Sequence, residues 1–293
     1  MTMGPVSRRG FMALAAAVPF LTAGARAGEP AIAAIDWGLL ETALAIGAVP
    51  VAATELRQFR KIAVEPEVPD RVADLGLRGS PSFELLRVIE PDLILISGFY
   101  EYQRASLERI APVLALPVYE AGRPPYPLAQ YSTTALGERT GRIAQAQTCL
   151  EETEQELERA RNSLAKAAER PFFVVNLGDS RHFRAFGADA MFGDVLGRLG
   201  LENAWRLETN YSAAAPVGIE ALARVPEAYI VVVGPLPPEV RRGLGENALW
   251  NALPSVRGGR TVFLDPINHF GALPSARRFA RLLAAGIESL PHG

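Results

Sequence analysis

The sequence is poor in the residues that form disulfides and metal sites. Its 293 residues include one cysteine and three histidines. A single cysteine cannot form an internal disulfide, so the hydrophobic core must stabilise the fold. Because Zn²⁺ usually takes four nitrogen, sulfur or oxygen ligands, Cys149 with His182, His269 and His292 is a poor donor set. We therefore expect no metal site built by the protein, and read His269 as a hydrogen-bonding residue.

Common catalytic motifs are also absent. The chain has no G-x-S-x-G elbow, no H-E-x-x-H pair and no phosphate-binding loop. Ser97 and Ser106 have no evident histidine partner in the sequence. These absences favour a binding protein without a cofactor over an enzyme, and a secreted α/β esterase remains the alternative from the enzyme class.

The first 27 residues read as an export signal. Ser7, Arg8 and Arg9 begin a twin-arginine pattern, the apolar run 11–21 follows, and residues 25–27 read A-R-A, a cleavage site. The run is shorter than the ~20 residues that a membrane span needs. No cysteine lies near the cleavage site to carry a lipid. We expect cleavage near Gly28 and a mature protein in the periplasm without a lipid anchor.

The charge balance gives no sign of a nucleic-acid partner. The full chain has 30 basic and 32 acidic residues. Without Arg8, Arg9 and Arg26 the mature chain is mildly acidic, whereas nucleic-acid binding requires basic patches.

Residues 143–169 predict one long helix. Ile143, Leu150, Leu157 and Leu164 recur every seven residues and form a narrow apolar seam. At 1.5 Å per residue this helix would span about 40 Å, far beyond the length of an ordinary helix in a compact domain. A rigid strut between two lobes explains this length. The alternative is a dimerisation coiled coil, but four seam residues are few, so we expect a monomer.

Short apolar runs alternate with amphipathic segments on both sides of this helix. The runs that read as strands are 31–36, 49–54, 71–76, 93–97 and 114–119 before it and 172–177, 182–187, 229–234 and 260–266 after it. The segments that read as helices are 37–47, 82–89, 103–111, 189–200, 218–225, 238–253 and 275–290. This alternation is typical of parallel strands with helical crossovers. The sequence predicts an α/β protein whose lobes, 28–131 and 171–293, have mainly parallel sheets bridged by a long helix within 132–170.

Two polar residues follow predicted strands of the first lobe. Arg78 follows the strand at 71–76 and Tyr100 follows the strand at 93–97. Ligands of open parallel sheets bind beyond the carboxyl ends of strands. If these strand ends are neighbours in the sheet, as we expect, an arginine fork and a phenol hydroxyl could converge there on an oxygen-rich ligand. A surface arginine and a rim tyrosine would give the same pattern, so spacing alone leaves both readings open.

Several segments carry a family resemblance. The segment 76–97 reads GLRGSPSFELLRVIEPDLILIS, and four others are 179–187, 202–223, 249–260 and 269–279. In this order they resemble the substrate-binding proteins of bacterial ferric-siderophore ABC importers, over nearly the whole mature chain. Trp205 with the E-T-N that follows it and the V-R-G-G-R at 256–260 are more specific to the ferrichrome (hydroxamate-type) branch. That family joins two α/β lobes by one long helix.

The resemblance implies a site between the lobes. The family's iron-hydroxamate contacts, an arginine and a tyrosine, fall on Arg78 and Tyr100, and its ligand-contacting loop of the second lobe falls on Asn210 and Tyr211. The branch lines its cleft with several tryptophans, but the corresponding positions here are Ile62, Ile96, Ser212 and Asn268. Tyr211, His269 and Phe270 compensate in part. A less aromatic wall implies a ligand periphery unlike that of ferrichrome.

The function implied is capture of an iron(III) siderophore, with iron held by the siderophore, and delivery to an ABC permease. A haem or cobalamin carrier of the same fold is the alternative within the binding class. The family docks glutamates at two matching positions onto permease arginines, and these positions are Glu84 and Glu220. Since acidic residues near helix N-termini are locally favourable, simple helix stabilisation is the alternative role.

Overall fold

The computed structural model of the chain describes residues 29–207, 209 and 216–290. These residues form two five-stranded sheets flanked by helices, with a pair of long helices between them. The predicted signal peptide, 1–27, lies outside the described residues. Across the ranges given above, no helix has the length and apolarity to cross a membrane.

The sheet of the first lobe is entirely parallel. Its strands run in the order β3-β2-β1-β4-β5. They are β1 (Ile32–Ala34), β2 (Ala52–Ala53), β3 (Ala73–Asp74), β4 (Leu93–Ile96) and β5 (Val113–Ala115). The intervening helices are α1 (Trp37–Ala45), α2 (Leu56–Ile62), α3 (Phe83–Ile89) and α4 (Arg104–Leu107). Asp36 and Ser82 begin α1 and α3 by accepting hydrogen bonds from Leu39 N and Leu85 N. The carboxyl ends of all five strands therefore share one edge.

Two helices rather than one connect the lobes. Helix α5 (Pro125–Thr140) and helix α6 (Ile143–Ser163) meet at Gly141, whose φ of 71° suits glycine. The predicted helix 143–169 is thus six residues too long: α6 ends at Ser163, and a 3₁₀ turn covers Ala167–Glu169. The sequence analysis assigned no separate helix over Pro125–Thr140, although proline is well tolerated in a first helical turn.

The buried stripe of α6 differs from the predicted seam. Ile143 is 63% exposed, while the buried residues of the helix are Ala146, Cys149, Thr153, Leu157 and Ala160. These residues follow steps of three and four, because a straight helix has 3.6 residues per turn and drifts away from a seven-residue repeat. The stripe packs against α5 and against the last helix of the chain.

The second sheet is mixed. Its strands run in the order β10-β9-β6-β7-β8, and β7 pairs antiparallel with both neighbours. They are β6 (Phe172–Leu177), β7 (His182–Ala185), β8 (Val217–Gly218), β9 (Tyr229–Gly234) and β10 (Thr261–Pro266). Only four residues separate β6 from β7, too few for a parallel crossover. The helices are α7 (Met191–Arg198), α8 (Pro238–Glu246), α9 (Ala248–Ala252), α10 (Pro254–Arg257) and α11 (Leu273–Glu288).

The predicted fold class is confirmed: two α/β lobes with mainly parallel sheets and a helical connection. One hydrophobic cluster runs from Ile32 of the first sheet through Leu157 of α6 to Phe279 of α11 and Val231 of the second sheet. Gly38 of α1 lies so close to the second lobe that a Cβ there would be 3.1 Å from the Phe270 carbonyl oxygen. The lobes therefore share a core instead of meeting at a loose hinge.

Two acidic side chains reinforce this junction by capping helices across it. Glu41 of α1 accepts hydrogen bonds from Ala272 N (3.0 Å) and Ser275 Oγ (2.9 Å) at the start of α11, and from Asn268 Nδ2 (2.8 Å) in the loop before it. Asp194 of α7 accepts a bond of 2.8 Å from Tyr126 N in the first turn of α5. Each acidic side chain accepts a hydrogen bond from a backbone N–H that a helix start leaves unpaired.

Candidate functional site

Polar side chains gather beyond the carboxyl ends of the first four strands. Asp36 follows β1, Glu55 follows β2, Arg78 follows β3, and Ser97 and Tyr100 follow β4. Two contacts join neighbouring ends: Ser97 Oγ donates to Asp36 Oδ2 at 2.7 Å, and Arg78 Nε lies 2.8 Å from Glu55 Oε2. This edge is where open parallel sheets bind ligands.

Two neighbouring residues fix the Arg78 side chain, and its terminal NH₂ groups face the cleft. Its guanidinium carbon lies 3.9 Å from the centre of the Trp37 ring, and Glu55 binds Nε. Among the described residues, neither Nη1 nor Nη2 has a hydrogen-bond partner. Trp37 is fixed in turn, because its Nε1 donates to Thr54 O and its ring packs edge-on against Phe59. The arrangement presents two NH₂ groups to a ligand.

Glu55 is a site residue that the sequence reasoning missed. Its carboxylate contacts Arg78 at both Nε and the backbone N (3.2 Å), so it fixes side chain and loop together. Its backbone has φ 50° and ψ 39°, a left-handed conformation that is uncommon for a residue other than glycine. The signal in the sequence was an acid shortly after a buried strand, as Arg78 shortly follows β3.

Tyr100 lies on a 3₁₀ helix, Gly98–Gln103, directly beyond β4. Burial, followed by the nearby Asp36 carboxylate, raises the pKa of Tyr100 to about 12. The phenol therefore keeps its proton at neutral pH, and its hydroxyl has no hydrogen-bond partner within the described ranges. Tyr100 can donate to an oxygen of a ligand.

Arg78 and Tyr100 line the same cavity although their strands are not neighbours in the sheet. Strands β2 and β1 lie between β3 and β4, so the expectation of adjacent strand ends is wrong. A side-chain bridge closes the gap: Gln103 Nε2 donates to Arg78 O (3.0 Å) and to Tyr102 Oη (2.9 Å), and Tyr102 Oη donates to Gly79 O (3.2 Å). This bridge ties the loop after β3 to the helix after β4.

Two adjoining cavities show that the site lies between the lobes. The first has a volume of about 440 Å³ and is lined by Asp36, Trp37, Glu55, Arg78, Gly79, Phe99, Tyr100 and Phe270. The second has a volume of about 360 Å³ and is lined by Trp37, Gln58, Ile62, Arg78, Asn176, Leu177, Gly178, Pro235, Pro237, Asn268, His269 and Phe270. Trp37, Arg78 and Phe270 line both, so the cavities form one cleft with walls from each lobe.

The second-lobe wall contains His269 and Phe270. The His269 ring packs against Phe186 and Phe192, and its Nε2 lies 3.1 Å from Gly234 O. Burial lowers the pKa of His269 to about 4, so the imidazole is neutral and Nε2 donates its proton to that carbonyl. Phe270 is 39% exposed and reaches the first-lobe cavity.

The positions that correspond to family tryptophans divide into three groups. Ile62 and Asn268 line the cleft, with the Asn268 amide bonded to Glu41. Ile96 is fully buried in the first sheet and does not line the cleft, because strand alternation directs it into the core. Ser212 lies outside the described residues, as do the predicted ligand contacts Asn210 and Tyr211.

The two predicted docking glutamates are exposed in different helices. Glu84 occupies the first turn of α3, whereas Glu220 lies in a 3₁₀ helix, Ile219–Arg224, rather than in the predicted α-helix 218–225. The Glu220 carboxylate fills the space that a Cβ at Gly218 would need. Helix-dipole stabilisation is a weaker explanation for Glu220, because one short turn aligns few peptide dipoles.

Within the described part of the chain, no group of three or more histidine, cysteine or acidic side chains could hold a metal ion. The cleft instead offers aromatic faces, an arginine fork and a phenol donor. Such a surface can bind a ligand whose own donor atoms already satisfy a metal.

Comparisons with known proteins agree with this geometry. The family model described as periplasmic binding protein matches residues 32–267. The iron(3+)-hydroxamate-binding protein FhuD of Escherichia coli is 31% identical over 283 residues, covering 95% of each chain. The Fe³⁺-Desferal-bound siderophore-binding protein FhuD of Vibrio cholerae superposes with a TM-score of 0.83 at 26% identity, over 90% of this chain and all of the other.

A more distant structure supports the fold alone. The petrobactin-binding protein YclQ of Bacillus subtilis gives a TM-score of 0.72 at 18% identity, over 89% of this chain and 93% of the other. These similarities confirm the prediction of a binding protein rather than an enzyme. The chain belongs to the periplasmic binding protein family.

Proposed function

We propose that this protein binds a ferric siderophore of the hydroxamate type in the cleft between its lobes and delivers it to an ABC permease. The observation that carries the proposal is the free fork of Arg78 beside the protonated phenol of Tyr100, in a cleft lined by aromatic rings. The similarity to iron-hydroxamate-binding proteins supports the same ligand class.

The siderophore supplies the hard oxygen atoms that coordinate iron, so the protein needs no metal ligands of its own. Arg78 donates from Nη1 and Nη2 to the partly negative iron-bound oxygens, and Tyr100 donates to another. Charge-assisted hydrogen bonds of this kind each contribute roughly 1.5–3 kcal/mol. The exposed Phe270 ring packs against the organic part of the complex, and the buried Trp37 ring supports Arg78. Asn210 and Tyr211 add contacts from the second lobe.

Titration with a ferric trihydroxamate tests this proposal. Trp37 lies in both cavities, so binding of the strongly absorbing complex is expected to quench its fluorescence saturably. Trp37→Phe keeps a ring beneath Arg78 and should lose most of the quenching while calorimetry still detects binding. If the wild-type protein shows neither quenching nor heat with any ferric trihydroxamate, the assignment is wrong.

The N-terminal pattern and the family resemblance support export of the protein to the periplasm and docking to a permease there. A twin-arginine signal exports the chain to the periplasm, where the mature protein is a monomer without a lipid anchor. It therefore reaches the permease by diffusion. Glu84 and Glu220, one on each lobe, dock onto basic residues of the permease. Charge steering of this kind makes the association sensitive to salt.

The double variant Glu84→Ala/Glu220→Ala is expected to bind the siderophore normally and to fail in uptake. Both carboxylates are exposed and line neither cavity, so the cleft keeps its contacts. Growth with the siderophore as sole iron source reports uptake, and calorimetry reports binding. Glu158→Ala/Glu246→Ala, which removes two other exposed carboxylates, is the matched control. Normal growth of the Glu84/Glu220 variant would mean that these glutamates stabilise their helices and do not dock onto the permease.

A further inference from the structure

The charges of the cleft nearly cancel. Among the described residues that line the two cavities, Arg78 is the only lysine or arginine, and Glu55 is paired with it. Asp36, the other acid in the wall, is buried and accepts hydrogen bonds from Ser97 and Leu39, and burial raises the pKa of its carboxyl and so favours the uncharged form. His269 is neutral. The described wall therefore offers an arginine fork without a net positive charge.

The pairing is built into the fold rather than left to a mobile surface contact. The side chains of Arg78 and Glu55 are 25% and 19% exposed. The Glu55 carboxylate binds Nε and the backbone N of the same residue, and its own backbone is held by a hydrogen bond of 2.8 Å from Glu55 N to Gly76 O. Partial burial weakens screening, so a charge here acts strongly on a ligand a few ångströms away.

We propose that Glu55 determines the charge class of the ligand: by neutralising Arg78, it makes the cleft select electroneutral ferric complexes and reject anionic ones. This inference rests on the proposed function. Three singly charged hydroxamates cancel the charge of Fe³⁺, so a ferric trihydroxamate fits a neutral cleft. A ferric complex that retains net negative charge loses the attraction of an unpaired arginine and is repelled by Glu55.

Glu55 thus has two separable roles, orientation and charge. It holds the guanidinium against Trp37 with both NH₂ groups free, and it sets the net charge that the ligand meets. Loss of orientation weakens the binding of every ligand. Loss of the negative charge changes the preference between ligands, which a purely structural residue would not do.

The experiment compares two hexadentate ferric complexes, a neutral trihydroxamate and an anionic citrate-centred dihydroxamate. Calorimetry at low ionic strength gives the ratio of their affinities for wild type and for Glu55→Gln. We expect Glu55→Gln to shift this ratio toward the anionic complex by about tenfold or more, because like-charge repulsion is removed and Arg78 is left unpaired. The shift should shrink at high salt.

Glu55→Asp and Glu55→Asn provide a matched pair that differs in charge alone. Both residues tolerate the left-handed backbone at this position, so both variants should fold. Glu55→Asp is expected to weaken binding of both complexes while keeping the wild-type ratio, and Glu55→Asn to shift the ratio as Glu55→Gln does. An unchanged ratio in Glu55→Gln and Glu55→Asn, with the trihydroxamate still bound by wild type, would overturn the charge role alone. Failure of wild type to bind the trihydroxamate would overturn the proposed function itself.

Discussion

Arg78→Ala is expected to reduce the affinity for a ferric trihydroxamate more than any other single change in the first-lobe wall. The variant removes the charged donors that face the cavity and leaves Glu55 without its partner. Removing even one charge-assisted hydrogen bond costs about 1.5–3 kcal/mol, which corresponds to a loss of roughly 10- to 150-fold in affinity. Glu55, now unpaired in a half-buried position, adds repulsion toward the iron-bound oxygens.

Tyr100→Phe gives the comparison for Arg78→Ala. It removes one hydroxyl and keeps the ring, so its expected cost is smaller, roughly 0.5–1.5 kcal/mol. The measurement is calorimetric titration of each variant with the same ferric trihydroxamate. Arg87→Ala, on the exposed face of α3, should match wild type. Equal affinities for Arg78→Ala and wild type would show that Arg78 does not bind the ligand.

The sequence predicted the strands and the main site residues for different reasons. Strands such as β4 and β9 are short apolar runs between turn residues, and that pattern is local. Arg78 and Tyr100 were identified because they follow strands and match a family motif. Glu55 was not, since its partner lies 23 residues away and the sheet order that brings them together depends on the whole lobe.

The connection between the lobes shows where local patterns fail. The seven-residue spacing from Ile143 to Leu164 suggested one long seam, yet burial follows the 3.6-residue turn against α5 and α11. Helix α5 has a weak amphipathic pattern because its buried face includes Ser132, Thr133, Gly137 and Thr140. The cross-lobe carboxylates, Glu41 and Asp194, leave no signal in sequence, since each caps a helix distant in the chain.

Glu41→Ala is expected to have the largest effect on stability. Glu41 is fully buried, and its removal leaves Asn268 Nδ2, Ala272 N and Ser275 Oγ without their acceptor. Each buried donor left unsatisfied costs about 1–3 kcal/mol, and the lost side chain leaves a cavity between the lobes. We expect a loss of roughly 3–5 kcal/mol in the free energy of unfolding, measured by urea denaturation. Glu158→Ala, an exposed glutamate of α6, should change it by less than about 0.5 kcal/mol.

Glu41 also makes the stability of the protein depend on pH. Burial outweighs the hydrogen bonds to Glu41 and raises its pKa from 4.5 to about 8. The folded protein therefore binds a proton that the unfolded chain releases, and the stability from this group, complete below pH 4.5, is lost as pH rises through 8. His269 acts in the opposite direction: its pKa falls from 6.5 to about 4, so its contribution is lost as pH falls from 6.5 toward 4.

Between pH 6.5 and 8, the pH dependence of the unfolding free energy therefore reports mainly on Glu41 and little on His269. Over this range the unfolding free energy of wild type should fall by about 1–2 kcal/mol more than that of Glu41→Gln, a neutral side chain of the same shape. Urea midpoints at pH 6.5 and 8.0 for both proteins give the difference, with other titrating groups common to the two. Parallel pH profiles for wild type and Glu41→Gln would mean that Glu41 is ionised throughout this range, held as a carboxylate by its three donors and the start of α11.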